Sequence, residues 1–192
     1  FYDRAGIVHR IDKETSGILL IAKTPDTFRA LQDQFKERTV KKTYIAIVHG
    51  NLVPPEGEIR APVGRLPWNR ERFGIVPGGK ESATRYKVIG HQVSVIGKNK
   101  EDVSVVELYP ETGRTHQIRV HMKYINHPIV GDYLYAGRKT SRDDRVWAPR
   151  VMLHAWKIVC QHPVTMRELA IEAPIPDDMN SIIQTEREKS RE

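Results

Sequence analysis

Apolar positions recur along this chain with two periods, and the places where one period gives way to the other mark out its elements. Residues 18–22 form an unbroken apolar run closed by Lys23, which predicts a short buried strand. Thr24-Pro25-Asp26 then reads as a helix start, with a capping hydroxyl, a proline at the first helical position and an acid in the first turn. Phe28, Leu31 and Phe35 follow at helical spacing, leaving Arg29, Gln32, Lys36 and Glu37 for the wet side. Over residues 42–48 the period becomes two: Tyr44, Ala46 and Val48 share one face of a strand, and Thr43, Ile45 and Ile47 the other.

Proline and glycine dominate residues 50–79, which predicts loops with short strands around Ile59 and Ile75. Residues 82–89, 91–96 and 103–109 are strand-like, the last two joined by the polar turn Gly97-Lys98-Asn99-Lys100. Pro110-Glu111-Thr112-Gly113 is a turn, after which Thr115 is placed to cap a helix with Ile118, Met122 and Ile125 as its buried stripe. Residues 151–160 predict another strand. From Ser181 onward a short helix is expected to fray into a charged tail. Strands outnumber helices without alternating regularly with them, which favours α+β over a doubly wound sheet. The expected organisation is one domain over residues 1–180 and a charged tail over 181–192.

Composition narrows the class. The chain has 192 residues, 39% hydrophobic and 29% charged, enough for a real core and unlike a disordered segment. No apolar run approaches the roughly 20 residues of a membrane helix, and no signal-peptide pattern is visible at Phe1-Tyr2-Asp3-Arg4. With Cys160 as its lone cysteine, no internal disulfide can form, and a cytoplasmic location is the expectation. The net charge of +7 favours a polyanionic partner, nucleic acid first among them, although a merely basic enzyme has the same balance.

Several apparent motifs dissolve on inspection. Gly74 to Lys80 has the spacing of a phosphate-binding loop, but Glu81 stands where a Ser or Thr must hold magnesium, and a strand follows instead of a helix. His116, His121 and His127 cluster in sequence, yet His116 and His121 are five apart, off a shared helix face, with no Cys pair nearby. Ser16 lacks the Gly-x-Ser-x-Gly elbow of a hydrolase nucleophile. Cys160 reads as an inert core thiol.

Three segments carry chemistry. Gly6-Ile7-Val8-His9-Arg10-Ile11-Asp12-Lys13-Glu14-Thr15-Ser16-Gly17 sets one carboxylate between a basic pair and a small-residue turn. That placement suits a nucleophile or base aimed into a cleft, but Asp-x-x-Thr-Ser-Gly is also good turn chemistry, and these residues alone leave both readings open. Lys41-Lys42-Thr43-Tyr44 puts a ring beside two cations at a strand start. Thr112-Gly113-Arg114-Thr115-His116-Gln117-Ile118-Arg119-Val120-His121 is a turn opening a helix with two arginines five apart.

Together these segments resemble the RluA-type pseudouridine synthases, whose motifs read His-Arg-hydrophobic-Asp-x-x-Thr-Ser-Gly, Lys-x-Tyr and Thr-Gly-Arg-Thr-His-Gln-hydrophobic-Arg-Val-His. His127-Pro128-Ile129-Val130-Gly131-Asp132 with Tyr135, and Leu153-His154-Ala155, extend the likeness, which runs from Gly6 to about Met179. Residues 173–179 resemble most the members that act on large-subunit ribosomal RNA. The resemblance implies an α+β fold with a mixed, mainly antiparallel central sheet and flanking helices. It also implies strands ahead of this chain's first residue, and in many members an S4-type RNA-binding domain before them, so the catalytic domain is expected to be N-terminally incomplete here.

By the same resemblance Asp12 is the catalytic aspartate, Tyr44 the active-site tyrosine, and Arg119 the arginine that holds Asp12 ionised through a bidentate pair. Arg10, His9, Lys42, Arg114, His116 and Gln117 are the expected substrate-binding residues. The implied reaction converts uridine to pseudouridine in structured RNA, most naturally ribosomal, with the target base flipped out. It needs no cofactor, nucleotide or metal. Asp12 can serve it by covalent attack or by proton abstraction on a glycal route. A monomer is expected, with RNA affinity that falls steeply as salt rises. The competing readings are a non-catalytic RNA-binding module, a tRNA-directed synthase, and a metal-dependent hydrolase built on His116 and His121.

Overall fold

The computed structural model describes residues 4–96 and 99–184. Its elements run β1 (Ser16–Gly17), α1 (Pro25–Lys36), β2 (Lys41–His49), β3 (Glu56–Arg60), β4 (Val63–Leu66), β5 (Asn69–Ile75), β6 (Ala83–Ile96), β7 (Asn99–Pro110), α2 (Gln117–Tyr124), α3 (Arg138–Asp144), β8 (Leu153–Gln161), β9 (Glu168–Glu172) and α4 (Asp177–Gln184). Seven strands make one sheet in the order β1-β8-β2-β7-β6-β3, with β9 added to β8, and β4 pairs with β5 apart from it. Every pair in the main sheet is antiparallel except β1 with β8, so the expected mixed, mainly antiparallel α+β fold is what the chain adopts.

Centrality explains the strongest strand. β2 lies between β8 and β7, and its residues Ile45 to His49 are buried on both faces, as a strand covered from two sides requires. Ile45, Ile47, Val105 and Leu108 join Ile118 and Met122 of α2 in the main core. On a second cluster, Phe28 and Leu31 of α1 pack with Val40, Ile158 and Cys160. The predicted start of α1 holds: Thr24 Oγ1 accepts the Thr27 N–H, a cap that contributes about 1 kcal/mol.

Several expectations are corrected. Residues 18–22 are extended but make no regular strand. After β1 the run bonds irregularly, Ile18 N–H to Ala155 O, Leu20 N–H to His9 Nε2 and Ala22 N–H to Gly6 O, with an isolated bridge from Ile21 to Ile7, and Ile21 stays 58% exposed. Residues 82–89 and 91–96 are one strand, β6, whose register slips between Val88 and Gly90; the glycine marks a bulge and not a break. The turn expected at 97–100 involves residues 97 and 98, outside the described residues. Within the Pro/Gly-rich stretch β4 was not anticipated. Its Gly64 and the facing Gly74 are packing positions, where a Cβ would meet Val76 and Leu66 side chains. Helix α2 is not capped by Thr115; His116 is its N-cap residue, in a left-handed conformation and with no side-chain cap bond. Helix α4 begins before Ser181, and Met179 and Ile182 both lie in the main core, so the expected boundary at 180 falls inside a packed helix. Of the expected tail, residues 185–192 lie outside the described residues. No described helix is long and apolar enough to cross a membrane.

Candidate active site

Asp12 reaches its position through the turn that its neighbours form. The Thr15 N–H bonds back to the Asp12 carbonyl at 3.0 Å, so the backbone makes the turn while the carboxylate is left to other partners. Just beyond, Gly17 at φ +108° lets the loop meet β8; a Cβ there would stand 2.2 Å from the Ala155 carbonyl oxygen. The turn reading is thus met by the main chain, and the Asp12 side chain takes no part in closing it.

The carboxylate enters a cleft of about 470 Å³, a size usual for small-molecule sites. Tyr44 from β2, Arg119 from α2 and Leu153 from β8 line the same cleft. Arg119 Nη1 lies 3.3 Å from Asp12 Oδ2, and His116 Nε2 lies 4.0 Å from the same oxygen. Three segments, the outer two 107 positions apart, thus bring together the aspartate, the ring and the guanidinium.

One expected detail is overturned. The bidentate fork of Arg119 belongs to Asp132, with Nε to Oδ2 at 2.7 Å and Nη2 to Oδ1 at 2.9 Å, whereas Asp12 receives a single longer contact. Asp132 is fully buried and its Oδ1 also accepts the Leu134 and Tyr135 N–H groups, so its carboxylate is held by partners besides Arg119. Gly131 at φ +76° permits this loop, since a Cβ would stand 2.0 Å from the Arg150 carbonyl oxygen. Burial works against the charged guanidinium, but Asp132 and then Asp12 outweigh it and raise its pKa. Tyr135 stands beside the pair, its ring centroid 5.1 Å from the Arg119 Cζ.

The remaining expected residues divide. Exposed Arg10 and half-buried Lys42 and Arg114 line the cleft, joined by Lys36 and Arg38, which follow from the end of α1. Burial lowers the pKa of Lys42. His9 lines the cleft but is tied to the scaffold: its Nε2 accepts the Leu20 N–H at 2.9 Å and its ring stacks on Phe35 at 4.8 Å. Burial, with Lys42 nearby, pushes its pKa down to about 4, so the ring is neutral. Gln117 is not free to bind substrate. Its Oε1 accepts from Thr112 Oγ1 and Arg114 N, and its Nε2 donates to Ala83 O and Thr84 Oγ1, which uses every hydrogen of the amide and both lone-pair sites of the oxygen. Burial, then the Asp12 charge, pushes the Tyr44 hydroxyl up to about 12.

The histidines of the metal reading have other partners. His121 lies between Thr84 Oγ1 and the Ala61 carbonyl, and His127 Nδ1 lies 2.8 Å from the His49 carbonyl oxygen. Among the described residues no group of three His, Cys, Asp or Glu gathers as a metal site. Ser16 does meet a histidine, His154 Nδ1 at 2.9 Å, but the far nitrogen faces the Ala173 carbonyl, and the pair is outside the cleft lining. Cys160 is buried in the second cluster, and burial raises its pKa. Asp132 and Tyr135 were visible in sequence as part of a quoted segment but carried no role. Lys36 and Arg38 gave no signal beyond charge.

Comparison with known proteins places this geometry. Residues 2–124 match the model of a family described as RNA pseudouridylate synthase. The ribosomal large subunit pseudouridine synthase D of Nitrosomonas europaea is 42% identical over 188 residues, covering 96% of this chain and 52% of that protein. An uncharacterized RNA pseudouridine synthase of Bacillus subtilis is 40% identical over 184 residues, covering 96% of this chain and 56% of that protein. Among solved structures, human RNA Pseudouridylate Synthase Domain Containing 1 superposes with a TM-score of 0.77 at 28% identity, over 94% of this chain and 79% of that one. The chain spans about half the length of the curated relatives it matches.

Proposed function

This chain belongs to the RNA pseudouridylate synthase family, and from that premise we propose that it isomerises uridine to pseudouridine in RNA with Asp12 as the reacting carboxylate. The observation that carries this reading is the convergence of Asp12, Tyr44 and Arg119 on one cleft, with Arg119 in contact with Asp12 at 3.3 Å. In the reaction the N1–C1′ bond breaks, the uracil turns, C5 bonds to C1′, the C5 proton leaves and N1 gains one. Asp12 assists by adding covalently or by accepting a proton. Arg119 keeps it charged, and Tyr44 stacks on the uracil while it is detached. A tyrosine hydroxyl at about 12 keeps its proton at neutral pH, which supports stacking over a role as resting base.

The cations favour RNA as the carrier of the uridine. Arg10, Lys36, Arg38, Lys42 and Arg114 line the cleft against two acids, Asp12 and Glu111, a distribution suited to phosphates beside a flipped base. The large-subunit synthases among the relatives point to ribosomal RNA as the substrate. His9 and Gln117 act on the substrate indirectly, by holding the cleft walls.

Ribosomal RNA transcribed with [5-³H]uridine tests the proposal, because isomerisation at C5 releases the tritium. Wild-type protein should release it, and Asp12→Ala and Asp12→Asn should release none while still binding RNA. Release retained in both variants would remove Asp12 from the reaction. Binding without release by the wild type would favour the non-catalytic module, and release from tRNA alone would reassign the substrate.

A further inference from the structure

His116 sits where few non-glycine residues do, at φ 54°, directly before the first residue of α2. Such a conformation costs on the order of 1 kcal/mol or more and persists where the surroundings fix it. Here they do: the imidazole is edge-on to Phe73 at 5.5 Å and to Tyr135 at 5.7 Å, and the Tyr135 hydroxyl lies 2.8 Å from its Nδ1. A proton inventory then fixes the ring. The Tyr135 oxygen accepts the Phe73 N–H at 3.0 Å, and among the described residues His116 Nδ1 is the acceptor within hydrogen-bond reach of its one proton. Burial holds the imidazole pKa below its usual value, a stronger effect than the opposing pull of Asp12, so the ring is neutral and its proton lies on Nε2. That N–H faces Asp12 Oδ2, the same oxygen that Arg119 Nη1 addresses, and neither contact involves Oδ1.

We propose that His116 is a positioning residue: the Phe73–Tyr135 chain locks its tautomer so that two N–H donors hold Asp12 Oδ2 and Oδ1 is the oxygen presented to the substrate. The inference rests on the reading of Asp12 as the reacting carboxylate. At 4.0 Å the His116–Asp12 contact is longer than a hydrogen bond and closes when substrate fills the cleft, as catalytic contacts in empty sites often do.

Two measurements test it. Nitrogen NMR of ¹⁵N-histidine-labelled protein at neutral pH, with the His116 signals assigned by their loss in His116→Asn, should show a bare Nδ1 and a protonated Nε2. Tyr135→Phe should turn this into a mixture. A protonated Nδ1 in the wild type, or no change in Tyr135→Phe, would overturn the lock. In single-turnover tritium release, His116→Asn, which suits the left-handed backbone, and Tyr135→Phe should each slow the reaction on the order of 100-fold, the scale of a 1 Å misplacement. RNA affinity should stay within about twofold, because the lost contact is made to Asp12 and not to the substrate. Weakened RNA binding with an unchanged rate would make His116 a substrate contact and refute the proposal. A wild type that releases no tritium yet has the expected tautomer, lost in Tyr135→Phe, would refute the proposed function and still support the lock.

Discussion

Replacing Asp132 with asparagine asks whether Arg119 is anchored from behind or by the reacting carboxylate. The Asp132 side chain is fully buried and engages Arg119 at 2.7 Å and 2.9 Å, whereas Asp12, 17% exposed, offers one contact at 3.3 Å. At the effective dielectric of protein sites, unit charges about 4 Å apart attract by about 4 kcal/mol. Asparagine keeps the shape and loses that charge. Its oxygen can still accept the Leu134 and Tyr135 N–H groups, which turns its NH₂ toward the Arg119 Nε–H, donor against donor. Breaking a buried pair from one side costs about 3–5 kcal/mol, and a guanidinium drawn toward Asp12 recovers some of it. We therefore expect a loss of about 3 kcal/mol, which in a chain of this size lowers the melting midpoint by roughly 6–12 °C. Asp12→Asn, at a partly solvated site, should cost about 1 kcal/mol or less. Calorimetry of both variants beside tritium release decides the matter: both should lose turnover, and only Asp132→Asn should lose much stability. If Asp132→Asn melts within about 2 °C of wild type, a shift of about 1 kcal/mol or less, or if Asp12→Asn is the costlier change, the fork is not what holds Arg119.

Two further outcomes follow from the residues reassigned from substrate to scaffold. The folded pKa of His9, about 4, lies below the unfolded 6.5, so between those values the unfolded chain binds more protons and stability rises with pH, levelling above about 6.5. His9→Gln keeps an acceptor for the Leu20 N–H and removes this titration; urea midpoints at pH 4.5 and 7.5 should differ less in the variant, and an unchanged difference would refute the assignment. Gln117→Ala removes the acceptor of the buried Thr112 hydroxyl and of the Arg114 N–H, while Ala83 O keeps the Glu111 N–H and Thr84 Oγ1 keeps His121, and it should cost about 1–3 kcal/mol in thermal unfolding. Unaltered stability with weakened RNA binding would return Gln117 to the substrate.

Much of the architecture was legible because it is local. The helix at Thr24-Pro25-Asp26 and the alternation through Tyr44 to Val48 follow from caps and periods that need no distant partner. The open run at residues 18–22, the bulge at Gly90 and the hairpin β4–β5 were not legible, because apolar runs and glycines look alike whether a neighbouring strand covers them, bends around them or is absent. The candidate site divides the same way. The resemblance of three segments to the RluA-type motifs nominated Asp12, Tyr44 and Arg119, since motif identity and order are properties that sequence states directly. Which carboxylate receives the guanidinium fork is a matter of distance and burial. Asp132 wins it because two backbone N–H groups and complete exclusion from water fix its oxygens, while Asp12 stays partly solvated. The same packing aims the His116 ring, through a left-handed backbone that no spacing rule announces. Sequence determined which groups are present; the folded chain decided how each is charged, held and turned, because those properties depend on neighbours brought close only in three dimensions.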